Sequence, residues 1–169
     1  MKWNNPGNIR TSGIKWIGKV GDTNPSNPSR SFVIFDSIKH GYRAHIKNLQ
    51  AYIGRNIDTL TLIVNTWAPR SDNNDPEAYT KTVSQLTGIH PDTPIKKTDL
   101  DTLGRVAYAM SIVEKGNEAK TPEAKQALTD AVNLLKGKNS PGSVPGSVPI
   151  ILLIAGVGFI LYGLTRQTG

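Results

Sequence analysis

The sequence predicts a mainly α chain of the α+β type: a helical domain with a small β element, followed by one C-terminal transmembrane helix. Three observations point there. Apolar residues recur at helical spacing through most of the stretch from Ile38 to Leu135. One short run of aromatic and β-branched residues, "SRSFVIFD", reads as a strand. The run "IILLIAGVGFILYGLT", from Ile150 to Thr165, carries no charge.

Taken in order, residues 1–30 are rich in Asn, Pro, Gly and Ser and predict loop and turn, with "SGIKWIGKVG" as a short hairpin. The strand follows. From Ile38 to Ile53, Tyr42, Ile46, Leu49 and Ile53 form one apolar stripe of a first helix, leaving His40 and His45 on or near its solvated side. "DTLTLIVNTWAP" predicts a second helix, stopped by Pro69. "NDPEAYTKTVSQLTG" predicts a third, with Asp75 as N-cap, Pro76 in the first turn and Gly88 as the stop. "TDLDTLGRVAYAMSIVEKG" is a fourth, capped by Thr98 and ended by Gly116, with Leu103, Val106, Met110 and Val113 as its stripe. "TPEAKQALTDAVNLLKG" is a fifth, punctuated by Thr121, Pro122 and Gly137.

The organisation that follows is a globular domain over 1–137, a Pro/Gly/Ser linker over 138–149 ("KNSPGSVPGSVP") and a membrane anchor over 150–166. About 17 residues at roughly 1.5 Å each span about 26 Å, slightly short of a typical hydrocarbon core. Tyr162 and Arg166 stand where an amphipathic ring and a cation favour the interface. "MKWNNPGN" lacks the apolar run of a signal peptide, so the expectation is a domain made in the cytosol whose tail inserts afterwards. Cations flank both ends of the anchor and set no orientation.

A net charge of +7 favours an anionic partner: nucleic acid, an anionic bilayer surface or bacterial wall polymers. The chain has no cysteine, which excludes disulfides and thiolate metal sites. There is no Gly-rich phosphate loop and no paired-histidine zinc motif; His40, His45 and His90 lack metal-ligand spacing. "SDNNDPE" misses the calcium-hand spacing and reads as a polar loop feeding a helix cap. No metal and no cofactor is expected.

The opening "MKWNNPGNIR" crowds amide side chains into turn chemistry of the kind that lines a polar groove, yet no Asp or Glu precedes it. The strings "NNPGNIR", "KWIG", "FVIFDSIKHGYRAHIKNLQAYI" and "LTLIVNTWAPRSDNNDPEAYTKTVSQLTG", in this order, resemble a family of phage and prophage proteins. These are described as virion structural proteins or as lysozyme-like, peptidoglycan-cleaving proteins. The resemblance covers roughly residues 3 to 116. A more distant similarity is to wall glucosaminidases, which also place an Asn-rich turn, a short β-ribbon and an "F-x-x-F" strand before a helix.

The resemblance implies a lysozyme-like helical domain and a catalytic glutamate at a helix end just upstream of the Asn-rich turn. This chain departs from that pattern, so either catalysis is lost or the acid comes from elsewhere. "LGRVAYAMSIVEKGN" supplies a candidate. Glu114 lies four residues after Met110 and seven after Ala107, at the border of the apolar stripe. An acid there is partly withdrawn from water, which suits a general acid that protonates a glycosidic oxygen. A circularly permuted core would carry this helix at the domain's end and fold Glu114 back beside Asn4, Asn5 and Asn8. Asp72 and Asp36 are the next candidates.

The remaining groove residues are expected to bind sugar. Asn4, Asn5 and Asn8 would hydrogen-bond acetamido and hydroxyl groups, Trp16 and Trp67 would offer flat faces, and Tyr79 would reach the acid. One good glutamate with no obvious partner leans toward a lytic transglycosylase over a two-carboxylate muramidase. The first expectation is thus a virion enzyme held in an internal membrane, acting on peptidoglycan glycan strands as the phage enters. The second is an inactive minor structural protein that bridges capsid proteins and the bilayer. A third is a tail-anchored protein of the bacterial cytoplasmic membrane. Nucleic acid is not the expected partner.

Overall fold

The computed structural model describes residues 1–138. Their regular elements are β1 (Lys19–Asp22), β2 (Val33–Phe35), α1 (Ile38–Ile53), α2 (Leu60–Trp67), α3 (Pro76–Thr87), α4 (Leu100–Lys115) and α5 (Pro122–Leu135), with short 3-10 turns between them. The chain is mainly helical with one two-stranded sheet among the described residues. Apart from Lys138, the expected linker, and with it the whole transmembrane segment, lies outside the described residues. Among the described residues no helix is long and apolar enough to cross a membrane.

The helix boundaries follow their caps. Asp75 Oδ1 accepts from Ala78 N–H and Thr121 Oγ1 from Ala124 N–H, each satisfying one orphan donor of a first turn whose first residue is proline. Gly88 closes α3 in the left-handed region that a glycine enters without penalty. For α4 the cap is Asp99, not Thr98: its carboxylate accepts from Thr102 N–H, three residues on, and the helix begins at Leu100.

α1 is the hub. Tyr42, Ile46 and Leu49 are fully buried and pack with Leu60, Ile63, Val64, Leu103, Val106 and Met110 in the helical core. The Tyr42 hydroxyl meets Ser111 Oγ at 2.9 Å, tying α1 to α4, and burial pushes that phenol up to about 12. α2 has eight residues, too few to hold together alone, and stands because Leu60, Ile63 and Val64 are buried. In α4 the expected stripe holds at Leu103, Val106 and Met110 and fails at Val113. Val113 is exposed, while Ala107, Met110 and Ser111 are buried, so the inward row runs through Ala107 and Met110 toward Glu114. The buried face is wider than one stripe because α1, α3 and α5 all pack on α4.

The residues "SGIKWIGKVG" do not close on themselves as a hairpin. β1 instead pairs antiparallel with β2, Lys19 opposite Phe35 and Asp22 opposite Val33, with a bulge between Lys19 and Gly21. The other flank of β2 is taken by the segment after the Asn-rich turn: Val33 N–H donates to the Ile9 carbonyl at 3.0 Å and Thr11 N–H to the Ser31 carbonyl at 2.8 Å. Ile9, Val33, Phe35 and Ala44 form a second small core, against which Trp16 and Trp67 pack. This core docks the N-terminal turn onto α1.

Candidate functional site

Three parts of the chain converge on the last turn of α4. Glu114 is half-buried there. Its Oε2 accepts a hydrogen bond from Asn8 Nδ2 at 2.6 Å. Its Oε1 accepts from the Tyr79 hydroxyl at 3.1 Å and from the Trp67 indole N–H at 3.3 Å. The donors stand on the N-terminal turn, α3 and the end of α2, so the carboxylate is held from three directions. Burial, and then the neighbouring Glu114 charge, push the Tyr79 phenol far above its ordinary value, so it stays protonated and able to donate.

Lys115 completes the arrangement. Its ammonium donates to Asn8 Oδ1. An ammonium has no acceptor, so it selects the amide's carbonyl and turns the amide's NH₂ toward Glu114. Lys115 is half-buried, and that desolvation lowers its pKa from the usual lysine range. Asn8 itself sits at φ +49, a left-handed conformation asparagine tolerates better than most residues.

The expected site residues therefore divide. Glu114, Asn8, Tyr79 and Trp67 come together, but Trp67 lays its face on His45 and gives the site only its N–H, and the Asn8 amide is spent on Glu114 and Lys115 and not held out for a sugar. Asn4 and Asn5 do not face a groove. Asn5 is fully buried, its Nδ2 donating to the Ile9 and Val33 carbonyls at 3.0 and 2.9 Å and its Oδ1 accepting from Ile9 N–H at 2.8 Å. Asn4 donates to the Phe35 carbonyl at 3.0 Å. Both fold the turn onto β2 because a buried peptide group needs a partner and an amide side chain can supply one. Trp16 packs on the second core and does not stand free. Asp72 is exposed and paired with Arg10 at 3.0 Å, and Asp36 is bonded to His40 and Ser37; neither touches Glu114. Hydrogen bonding from His40 lowers the pKa of Asp36.

Sequence reasoning missed Lys115, Trp3 and His45. His45 is not on a solvated face: it is fully buried and stacks on Trp67, ring centroids 4.6 Å apart and 24° between planes. Gly7 closes over this pair; a Cβ there would lie 2.7 Å from His45 Nδ1 and 2.9 Å from Trp67 Cζ2. Neither His45 nitrogen has a hydrogen-bond partner among the described residues, so the stack on Trp67 is what the ring provides. That stack fixes the indole whose N–H reaches the acid.

Burial pushes the His45 imidazole down to about 3 from 6.5. The unfolded chain thus takes up a proton below about pH 6.5 that the folded chain refuses, and stability falls as pH drops from there toward 3. The slope is about 1.4 kcal/mol per pH unit. Urea unfolding at pH 6.5 and pH 5 should differ by roughly 2 kcal/mol from this group alone. His45→Phe keeps a ring on Trp67 and should flatten that interval; an unchanged slope would place the effect elsewhere.

Among the described residues no three His, Asp or Glu side chains gather into a group able to hold a metal ion. Comparison with known proteins finds no family model and no curated protein that matches the chain.

Proposed function

We propose that this chain cleaves the glycan strands of bacterial peptidoglycan, with Glu114 as general acid and base on a lysozyme-like helical domain. The observation that carries the reading is the convergence of Asn8, Tyr79 and Trp67 on one half-buried carboxylate at a helix end. A carboxylate so oriented has the fixed geometry that proton transfer to a glycosidic oxygen requires. The resemblance of the "NNPGNIR" segment to virion wall-cleaving proteins, and the net charge of +7, agree with an anionic wall polymer as substrate.

The chemistry needs only one acid. Glu114 gives its proton to the glycosidic oxygen as the bond to C1 breaks, and the sugar's own acetamido oxygen closes on C1. Glu114, now a carboxylate, takes the proton of the C6 hydroxyl, whose oxygen attacks C1, expels the acetamido group and leaves a 1,6-anhydro end. Water in place of that hydroxyl gives hydrolysis. Tyr79 can serve both protonation states. Its hydroxyl donates to Glu114 Oε1 at 3.1 Å, and it can turn to the Met110 carbonyl at 3.4 Å when the acid carries its proton.

Tyr79→Phe keeps the buried ring and removes only that switch. A hydrogen bond to a charged group is worth about 1.5–3 kcal/mol, so the variant should melt lower, and cleavage should still be slowed roughly 10- to 100-fold at temperatures where it is fully folded. An unaltered rate would remove Tyr79 from the mechanism. The function itself is tested by a peptidoglycan zymogram of the full chain: a clearing zone and anhydro-ended products support it, and no clearing points to a virion scaffold instead. The segment 150–166 supplies the proposed anchor in an internal virion membrane, and the protein's presence in purified virions tests that placement.

A further inference from the structure

Beyond the acid, the N-terminal turn carries a feature the mechanism does not use. Trp3 stands at φ 59, ψ 11, a backbone region that bulky residues rarely enter and that costs on the order of 1–3 kcal/mol of strain. Its ring stacks on Phe32, centroids 5.8 Å apart and 15° between planes. Three cations border the pair. The Lys2 ammonium lies 4.4 Å and the Lys115 ammonium 5.7 Å from the Trp3 ring centre, and the Arg10 guanidinium lies 5.8 Å from that of Phe32. Arg10 is paired with Asp72. Among the described residues neither the Lys2 nor the Lys115 ammonium has a carboxylate within ion-pair distance.

We infer that Trp3 and Phe32, with Lys2 and Lys115, form a subsite for a sugar of the glycan strand that carries a carboxylate. The inference rests on the glycan reading of the Glu114 site and names the part of the strand bound next to it. Half-buried aromatic faces suit the apolar side of a sugar ring. Glu114 and Glu118 attract Lys115 from beyond ion-pair distance, so neither ammonium is closed off by a salt bridge, and both suit a substituent acid such as the lactyl group of N-acetylmuramic acid. Continuity with the acid sets the location: Lys115 contacts Trp3 on one side and Asn8 on the other, and Asn8 contacts Glu114. The same combination of ring and cation could stack single-stranded nucleic acid, but such a strand has no use for an adjoining group that transfers a proton to a glycosidic oxygen.

The test is equilibrium binding by the full chain carrying Glu114→Gln, so that nothing is cleaved. The probes are peptide-free glycan strands with lactyl carboxylates, uncharged chitin oligomers and single-stranded DNA. Lys2→Glu changes an exposed residue and should weaken glycan-strand binding about fivefold while leaving chitin within twofold. Trp3→Asn keeps a residue suited to the left-handed backbone and should weaken both sugars about tenfold. Equal loss on chitin and glycan in Lys2→Glu overturns the carboxylate assignment. Unchanged binding in Trp3→Asn, or tighter binding of DNA than of glycan, overturns the subsite. Failure of the wild-type chain to clear peptidoglycan would sink the catalytic reading while this binding measurement still stands or falls separately.

Discussion

Glu114→Gln should lower peptidoglycan cleavage by about 10²–10⁴-fold, the usual worth of a positioned general acid. Glutamine has nearly the same shape, so the helix end and the packing around it are kept. What changes is the chemistry of one atom. A carboxylate offers acceptors to every neighbour, and here three donors use them. The amide must instead turn its NH₂ toward either the Asn8 NH₂ or the Tyr79 and Trp67 donors, which leaves a donor facing a donor. That mismatch should cost about 1–3 kcal/mol of stability. The variant therefore separates two roles. If Glu114 only ties three elements together, melting falls and any cleavage persists in proportion to folded protein. If it transfers the proton, cleavage vanishes at temperatures where the variant is fully folded. Persistent clearing would move the assignment to Asp72 or Asp36, each testable by its own Asn variant.

Much of this fold is legible because its signals are local. Asp75, Pro76 and Gly88 mark α3 by chemistry that acts within one turn, and Thr121 with Pro122 marks the start of α5 in the same way. The return of Glu114 to the N-terminal turn was also readable, from a helical border position and an amide cluster lacking an acid. It holds for Asn8. It does not hold for Asn4 and Asn5, whose amides complete the backbone of their own turn. Three like residues in five positions give no sign of which one faces inward, since that depends on φ at each. The two that sit at positive φ, Asn4 and Asn8, are aimed differently again.

The burial of His45 was illegible for a different reason. A helix with one apolar stripe predicts one buried face, but α1 also buries Gly41, Ala44 and His45. Gly41 and Ala44 carry almost no hydropathic signal. Their smallness lets a second layer approach, and that layer comes from more than thirty residues upstream. The place of Lys115 is illegible for a similar reason: its partners Asn8 and Trp3 stand more than a hundred positions away. Pairings at that separation come from topology, which local periodicity does not report.

That second layer leads to the other large effect, at Gly41. A Cβ added there would sit 2.0 Å from the Asn4 carbonyl oxygen and 2.6 Å from Pro6 Cδ. Neither obstacle can swing aside, since one is backbone and the other a ring fused to it. Alanine within a helix ordinarily gains up to about 1 kcal/mol over glycine, and Gly41 stands in the first turn of α1. Overpacking against rigid neighbours costs about 1–3 kcal/mol or more, and at these distances the larger figure applies. Gly41→Ala should thus destabilise the domain by roughly 2 kcal/mol, a fall in melting temperature of about 5 °C or more. Cleavage should fall further than stability does. The turn that is pushed away carries Asn8, and a displacement of about 1 Å at a positioning group can cost on the order of a hundredfold. Gly13→Ala is the control, because a Cβ there meets nothing within 4 Å. If Gly41→Ala instead melts higher than wild type, helix propensity has won, and the Asn-rich turn is not held against α1 tightly enough to position anything at Glu114.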